Sequence, residues 1–279
     1  MKIVVAVSGG VDSVVLLDLL VRSAKYELIV AHFDHGMRAD SAADARFVAG
    51  LGQMYGLPVE SKREDLSGQS EELARERRYG FLFEVASRHE ARLVTAHHRD
   101  DLVETIAMNF QRGSRWRGLA TMSDNRIWRP LLKRTKSELT NYALEKGLEW
   151  CEDDTNQRGI YTRNRLRKKL ASLPASSAER LYNLWQEQSR LKREIESEIE
   201  QRGFPVLSRY FLTMLDESTA KELLYDYVWR ECGVSLLGAQ LDRLWMAIKT
   251  GRPNTTWQIS QGLEVRLLSK DWRVYSSEK

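Results

Sequence analysis

The chain has 279 residues, 42% of them hydrophobic and 29% charged, with a formal net charge of +4. That length allows two domains with cores of their own, and the composition is that of a globular chain rather than a disordered or fibrous one. No apolar run approaches the roughly 18 residues of a membrane span, and Met1 leads straight into a strand-like segment without the regions of a secretory signal, so the expectation is a cytoplasmic protein with no membrane partner. Two isolated cysteines, Cys151 and Cys232, form no C-x-x-C, so no thiolate metal clip or redox pair is visible.

Lys2–Val7 reads as a buried strand, since Ile3, Val4, Val5 and Val7 are β-branched and nearly continuous. Asp12 and Ser13 open a helical run over Val14 to Val21, followed by an apolar strand at Leu28–Phe33. Ser41 and Asp44 start a helix running to Met54, and Pro58 precedes a short strand near Val59. Ser70 caps a helix to about Arg88, then come a strand at Arg92–Thr95 and a helix over Asp100–Phe110. Strands alternating with helices predict an α/β fold, a parallel doubly wound, Rossmann-like sheet covered on both faces, with ligands beyond the carboxyl ends of its strands.

After about residue 175 the pattern changes. Leu181, Leu184, Trp185, Gln188, Leu191, Ile195 and Ile199 fall at helical spacing, and Gly203 and Pro205 end the run. Helices at Ala220–Glu231 and Ala239–Lys249 follow, then strands at Thr255–Ser260, Leu263–Leu268 and Trp272–Tyr275, with Gln261-Gly262 as a hairpin turn. The expected organisation is a catalytic α/β domain over 1–175, a helical linker over 176–203 and a small α+β domain over 204–279.

Between the first strand and first helix lies Ser8-Gly9-Gly10-Val11-Asp12-Ser13. Two glycines let backbone approach an anion, the helix start adds N–H groups and a positive dipole end, and Ser8 and Ser13 bring hydroxyl donors. Asp12, itself an anion, is read either as reaching phosphate through Mg²⁺ or as capping the helix. The chain has neither G-x-x-x-x-G-K-[ST] nor G-x-G-x-x-G here, so this is not a Walker loop or a dinucleotide fingerprint. The loop resembles the pyrophosphate loop of the N-type ATP pyrophosphatases, the PP-loop superfamily, which attack the α-phosphorus of ATP and release pyrophosphate.

The blocks that follow narrow the resemblance. They are His32-Phe33-Asp34-His35-Gly36-Met37-Arg38; Glu72-Leu73-Ala74-Arg75 with Arg78-Tyr79; and Thr95-Ala96-His97-His98-Arg99-Asp100-Asp101-Leu102-Val103-Glu104-Thr105. After them come Arg112-Gly113-Ser114, Gly118-Leu119, Arg129-Pro130-Leu131-Leu132, Glu152-Asp153 with Asn156, and Tyr161-Thr162-Arg163-Asn164-Arg165-Leu166-Arg167. In this order they are similar to the tRNA(Ile)-lysidine synthetase family over residues 1 to about 170; the tail from 204 matches only weakly. One departure stands out. Where the family's loop commonly reads G-S-G-L, this chain has Gly113-Ser114-Arg115-Trp116, losing a glycine and gaining a cation and an aromatic ring, a pair suited to a nucleic-acid surface.

The resemblance implies a two-step ligation on a tRNA(Ile) with a CAU anticodon. ATP adenylates the C2 oxygen of the wobble cytidine and pyrophosphate leaves; the ε-amine of L-lysine then attacks C2 and AMP leaves. The product, lysidine, changes codon reading from AUG to AUA and identity from Met to Ile. In the first step the Ser8–Ser13 loop would hold the β/γ end of ATP, Mg²⁺ would offset the developing charge, and Arg112 or Arg75 would face the α-phosphate. The second step needs a neutral amine, yet with a reference pKa near 10.4 only about one lysine in 2,500 is unprotonated at pH 7, a shortfall of roughly 4.6 kcal/mol. A base or desolvation must supply it.

Asp101 and Glu104 share a helix face, with His97 four residues before Asp101. By resemblance this face receives the lysine, with Glu104 the preferred base, while Asp34 positions ATP, metal or cytidine. The basic run Arg158, Arg163, Arg165, Arg167, Lys168 and Lys169 contains no acid. Arg163, Asn164, Arg165, Arg167 and Lys168, together with Arg115 and Trp116, are expected to contact tRNA phosphates and bases, and the domain after 204 to bind tRNA.

Plainer readings stand beside these. His97, Asp101 and Glu104 also suit a solvated charged face or a Zn²⁺ or Fe²⁺ site, Asp34-His35 a strand-end cap, and Arg75 a surface ion pair. Two other functions stay open: a tRNA 2-thiolation enzyme of the same superfamily, which would need catalytic cysteines, and a non-catalytic nucleotide- or tRNA-binding module. Whether the protein forms a homodimer is not readable from the sequence.

Overall fold

The first strand, β1 (Lys2–Ala6), is apolar throughout because both of its faces are covered. Ile3 and Val5 enter one core and Val4 the other, as the two-residue period of a strand requires. The computed structural model describes residues 1–36, 41–151, 170, 174–202 and 208–276. Through the first part of the chain β1 is followed by α1 (Val11–Ser23), β2 (Glu27–Asp34), α2 (Ser41–Tyr55), β3 (Val59–Arg63), α3 (Glu71–Arg88), β4 (Arg92–Val94) and α4 (Arg99–Gln111). Next come the short α5 (Trp116–Leu119), β5 (Ile127–Trp128), a 3₁₀ turn at Pro130–Lys133 and α6 (Lys136–Glu145).

The five strands form one parallel sheet in the order β3-β2-β1-β4-β5. Val14, Leu17, Val48, Leu51, Leu139 and Ala143 of α1, α2 and α6 pack on the face that carries Ile3, Val5 and Val30. Ala74, Phe81, Leu82 and Val85 of α3 pack on the opposite face, against Val4, Ile29 and Leu93. This is the doubly wound α/β sheet that the alternating pattern predicts. Ser70 caps α3 as expected, its Oγ accepting from the Leu73 N–H at 3.2 Å.

Two connections are tighter than the pattern suggests. β5 is only two residues long, too short for any periodicity to register. Helix α6 is marked by a capping box: Thr135 accepts from the Glu138 backbone N–H while Glu138 accepts from the Thr135 N–H at 2.7 Å.

The later part of the chain holds α7 (Ala175–Arg202), α8 (Arg209–Met214), α9 (Glu217–Cys232), α10 (Gly238–Thr250) and the strands β6 (Thr256–Ser260), β7 (Leu263–Leu267) and β8 (Trp272–Ser276). The strands form an antiparallel sheet in sequence order. Strand β7 alternates buried Leu263, Val265 and Leu267 with exposed Glu264 and Arg266, so only one face of the sheet is covered. That face packs with Leu223, Leu224 and Val228 of α9 and Leu244, Trp245 and Ile248 of α10. Gly203 and Pro205, expected to end α7, lie outside the described residues. By density of contacts the chain divides into a first unit, Met1–Thr105 with Met122–Tyr182, and a second, Ile106–Thr121 with Asn183–Lys279.

A buried carboxylate ties the helices of the first unit's α1 face. Asp18 of α1 is 1% exposed. It accepts from Arg22 Nε at 2.7 Å, Tyr142 Oη of α6 at 2.7 Å and Tyr55 Oη of α2 at 3.0 Å. Burial alone would raise its pKa, but the hydrogen bonds from Arg22, Tyr142 and Tyr55 outweigh it and hold the carboxyl below its ordinary 3.8. Burial and the same hydrogen bond push the Tyr55 phenol up to about 12. A depressed acid contributes stability above its unfolded pKa, and that contribution is lost as pH falls through the folded value. Asp18→Asn is therefore expected to cost about 1–3 kcal/mol near pH 7 by leaving buried donors poorly matched. Urea midpoints of parent and variant should converge as the pH drops below 3.8; a gap that persists unchanged in acid would rule out the charge as its source.

Candidate active site

In this strand order the chain walks outward from β1 through β2 to β3, then crosses back so that β4 lies on the other side of β1. The loops leaving β1 and β4 therefore open side by side at the carboxyl end of the sheet, the crevice where open α/β sheets bind ligands.

The loop after β1 is held from three directions. The Val7 N–H donates to Ala31 O at 2.9 Å, and His32 Nδ1 lies 2.8 Å from Val7 O. Ser13 Oγ donates to Gly10 O at 2.8 Å and accepts from the Ser8 N–H at 3.2 Å, folding the loop back on the start of α1. On the outer side the Cys151 N–H donates to Gly9 O at 2.9 Å. Gly9 has φ +92°, a conformation that side chains rarely adopt, and a Cβ there would stand 3.3 Å from Cys151 Sγ and 3.6 Å from Phe47. Gly10, just before α1, has no side chain to cap the helix; the Ser13 and Val14 N–H groups turn back to Gly10 O at 3.0 and 3.1 Å, which leaves the Val11 and Asp12 N–H groups and the positive dipole end for an anion.

Asp12, in the first turn of α1, is the meeting point of the two loops. Both its oxygens accept from Lys136 Nζ, at 2.8 and 2.7 Å. Its Oδ2 lies 3.7 Å from His98 Nε2. The same ring nitrogen of His98 is 3.4 Å from Asp101 Oδ2, and the His98 backbone N–H donates to that oxygen at 3.1 Å. Asp100 accepts from the Lys136 backbone N–H at 2.7 Å and lies 3.4 Å from His98 Nδ1. Three carboxylates thus stand around one imidazole, and one of them, Asp12, also holds an ammonium. Burial works against a charged His98, but the Asp100 hydrogen bond and the charges of Asp101 and Asp12 prevail and raise its pKa above the ordinary 6.5. The His98 contact in turn lowers Asp100.

The other expected residues are distributed as follows. Glu104 lies one turn beyond Asp101 on α4 and is 2% exposed. His97 holds Thr95 Oγ1 through Nδ1 at 2.8 Å. Asp34 ends β2, where Oδ1 accepts from the Gly36 N–H at 2.8 Å and Oδ2 lies 3.5 Å from Arg63 Nε, the contacts of a strand-end cap. Arg75 is exposed on α3, its guanidinium 4.9 Å from the Tyr79 ring centroid.

Arg112, Arg115 and Trp116 belong to the second unit. Arg112 is exposed, while Arg115 pairs with Asp242 and Trp116 Nε1 donates to Glu222 at 2.9 Å. Arg163, Asn164, Arg165, Arg167 and Lys168 lie outside the described residues. Sequence reasoning chose His97 of the adjacent pair and passed over His98, Asp100 and Lys136. Adjacent histidines cannot be told apart without the turn that aims them, and Lys136 lies 124 positions from its partner.

Among the described residues no three His, Cys, Asp or Glu side chains are grouped to hold a metal ion by themselves. A Mg²⁺ ion binds through one or two carboxylates when substrate phosphates supply its other oxygens. Asp12 at the mouth of the loop fits that division of ligands, with Lys136 meanwhile balancing its charge.

The ATP-binding family model described as PP-loop domain matches residues 1–173. The tRNA(Ile)-lysidine synthase of Novosphingobium aromaticivorans is 40% identical over 186 residues, covering 62% of this chain and 57% of that protein. The protein of the same name from Bacillus thuringiensis subsp. konkukian is 36% identical over 233 residues, covering 77% of this chain and 49% of its own length. The chain therefore spans about half the length of the curated relatives it matches. In fold it is similar to the U34-tRNA thiolase NcsA of Methanococcus maripaludis, at 18% identity and TM-score 0.58, over 68% of this chain and 72% of that one. With the strand–loop–helix cradle in place and the family model covering well over half of its length, the chain belongs to the PP-loop domain family.

Proposed function

We propose that this protein is an ATP-dependent ligase that joins L-lysine to C2 of the wobble cytidine of a CAU-anticodon tRNA(Ile), acting in the cytoplasm. The observation that carries the reading is the meeting of the Ser8–Ser13 loop with the acidic start of α4, Asp12 and Asp101 standing 3.7 and 3.4 Å from one nitrogen of His98. Phosphate-binding and amine-binding groups thereby share one crevice. Relatives that bear the name tRNA(Ile)-lysidine synthase support the reading.

In the first step the loop amides and the Ser8 and Ser13 hydroxyls hold the β/γ end of ATP. The cytidine O2 attacks the α-phosphorus, the bond to the bridging oxygen breaks, and pyrophosphate leaves with its charge balanced by the helix dipole and Lys136. A Mg²⁺ ion held by Asp12 and the phosphates would supply further charge neutralisation. In the second step the lysine amine forms the C–N bond to C2 and AMP departs with the former O2. Asp101 and Glu104 orient the amine and take its proton. Arg75 and Arg112 are proposed to face the α-phosphate, Asp34 to fix the nucleotide side of the crevice, and the basic run to contact tRNA.

Labelled lysine offered with ATP, Mg²⁺ and an unmodified tRNA(Ile) transcript should enter the RNA, with release of AMP and pyrophosphate. Folded, ATP-binding protein that incorporates no label would exclude the ligase. Glu104→Gln should keep ATP affinity and lose about 100-fold or more in turnover, the range of a general base; full turnover would remove Glu104 from the chemistry.

Gly9→Ala forces a Cβ into left-handed backbone beside Cys151. It should weaken ATP binding about tenfold or more through misplacement of the loop amides, measured by calorimetry. Normal affinity would mean that the cradle lies elsewhere. Replacing both cysteines, Cys151 and Cys232, by Ala should leave lysine transfer in place, since no step uses a thiol; a tRNA thiolation activity would instead be abolished by the same change.

A further inference from the structure

We propose that Glu222 is a positioning residue for the reaction above: by clasping Trp116 and Arg117 it fixes the far end of α4, the helix whose first turns carry Asp101 and Glu104. The inference rests on the ligase reading for its kinetic consequence and on the geometry of the second unit for its structural one.

The segment after α4 is the place where the chain departs from the family's glycine-bearing loop. Here the added side chains have partners. Glu222 of α9 takes three donors at once: Trp116 Nε1 at 2.9 Å, and Arg117 Nε and Nη2 at 3.0 and 2.5 Å. The Arg117 guanidinium also lies 4.1 Å from the Tyr225 ring centroid and 4.8 Å from that of Trp116, with Glu196 of α7 at 3.6 Å.

Arg117 and Glu222 are 14% and 21% exposed, so this is no ordinary surface pair. Arg115 pairs with Asp242 of α10, which also takes Lys221 Nζ at 2.7 Å. The Arg115 stem crosses Gly238, where a Cβ would stand 2.9 Å from its Nε, so the close approach depends on glycine.

The clasp is coupled to α4 by short bonds. The Ser114 N–H donates to Asn109 O at 2.9 Å, and Asn109 Nδ2 of α4 donates to Gly118 O at 3.0 Å, closing the loop against the last turns of the helix. Residues from Ile106 onward accordingly group with the second unit, whereas the start of α4 groups with the first. The helix has 13 residues, so it is about 20 Å long, and a stiff rod held at one end aims the groups at the other. Misplacing a reacting group by about 1 Å is enough to cost about 100-fold. Because Asp242 and Glu222 already balance Arg115 and Arg117, an RNA phosphate would have to displace a carboxylate to reach either one.

The test compares the full chain with Glu222→Gln, which keeps size but removes the charge, and with the exchanged pair Arg117→Glu with Glu222→Arg. Hydrogen exchange at residues 102–119, ATP affinity, tRNA affinity and the lysine kcat and KM are measured on each. Glu222→Gln should speed exchange in the second half of α4 and in the loop. It should lower kcat/KM for lysine about tenfold, with ATP and tRNA affinities within about twofold of the parent. The exchanged pair should recover part of both losses.

Unchanged exchange along α4 overturns the clasp. A turnover loss matched by an equal loss of tRNA affinity overturns it too, making the loop an RNA contact. If the parent chain transfers no lysine, the ligase reading fails, and hydrogen exchange alone then decides whether Glu222 holds the helix.

Discussion

Parallel strands cannot be joined by tight turns, so each connection in the first unit crosses over a sheet face and returns as a helix. Once β2 and β3 have been laid to one side of β1, the chain must come back across it to place β4. That reversal at β1 is the constraint on which the site depends. It leaves the turn after β1 without a neighbouring crossover to fill the space above it, and it sets the turn after β4 alongside. The glycines of the first turn and the carboxylates at the head of α4 meet there because of where the strands lie, although they are far apart in sequence.

The crevice so formed is crowded with charge. Asp12, Asp100 and Asp101 stand around His98, with Lys136 spanning the oxygens of Asp12. Such an arrangement is costly unless its charges balance, and the raised His98 and lowered Asp100 pKa values are the signs of that balance. It also suits a reaction in which charge moves twice, onto departing pyrophosphate and then off an attacking amine. The groups at hand are a dipole, an ammonium and carboxylates, all fixed before the substrates arrive.

Much of this was legible in the sequence where chemistry is local. The β-branched run Ile3–Val7, the Ser8–Ser13 loop and the Ser70 cap each signal their structure within a few residues, and the sheet and its flanking helices follow. The small antiparallel sheet was readable from its three strand segments and the Gln261-Gly262 turn. What stayed hidden is long-range. Lys136 reaches Asp12 across 124 positions, Tyr55 and Tyr142 converge on Asp18 from separate helices, and Glu222 meets Trp116 across 106. Arg115 and Trp116 read as nucleic-acid contacts, and the sequence could not show that carboxylates of the same chain stand beside them. Asp34 illustrates the same ambiguity, since its oxygens serve the turn after β2.

The account stands on the bend at Gly9 and Gly10 receiving a triphosphate whose α-phosphorus faces the start of α4. The most direct measurement is a crystal structure with a non-hydrolysable ATP analogue. The β- and γ-phosphates are predicted to lie on the backbone amides between Gly9 and Ser13, with Lys136 drawn onto a phosphate oxygen and Asp101 and Glu104 facing the α-phosphate. A nucleotide bound elsewhere while that bend stays empty, or bound with its α-phosphate turned away from α4, would contradict it.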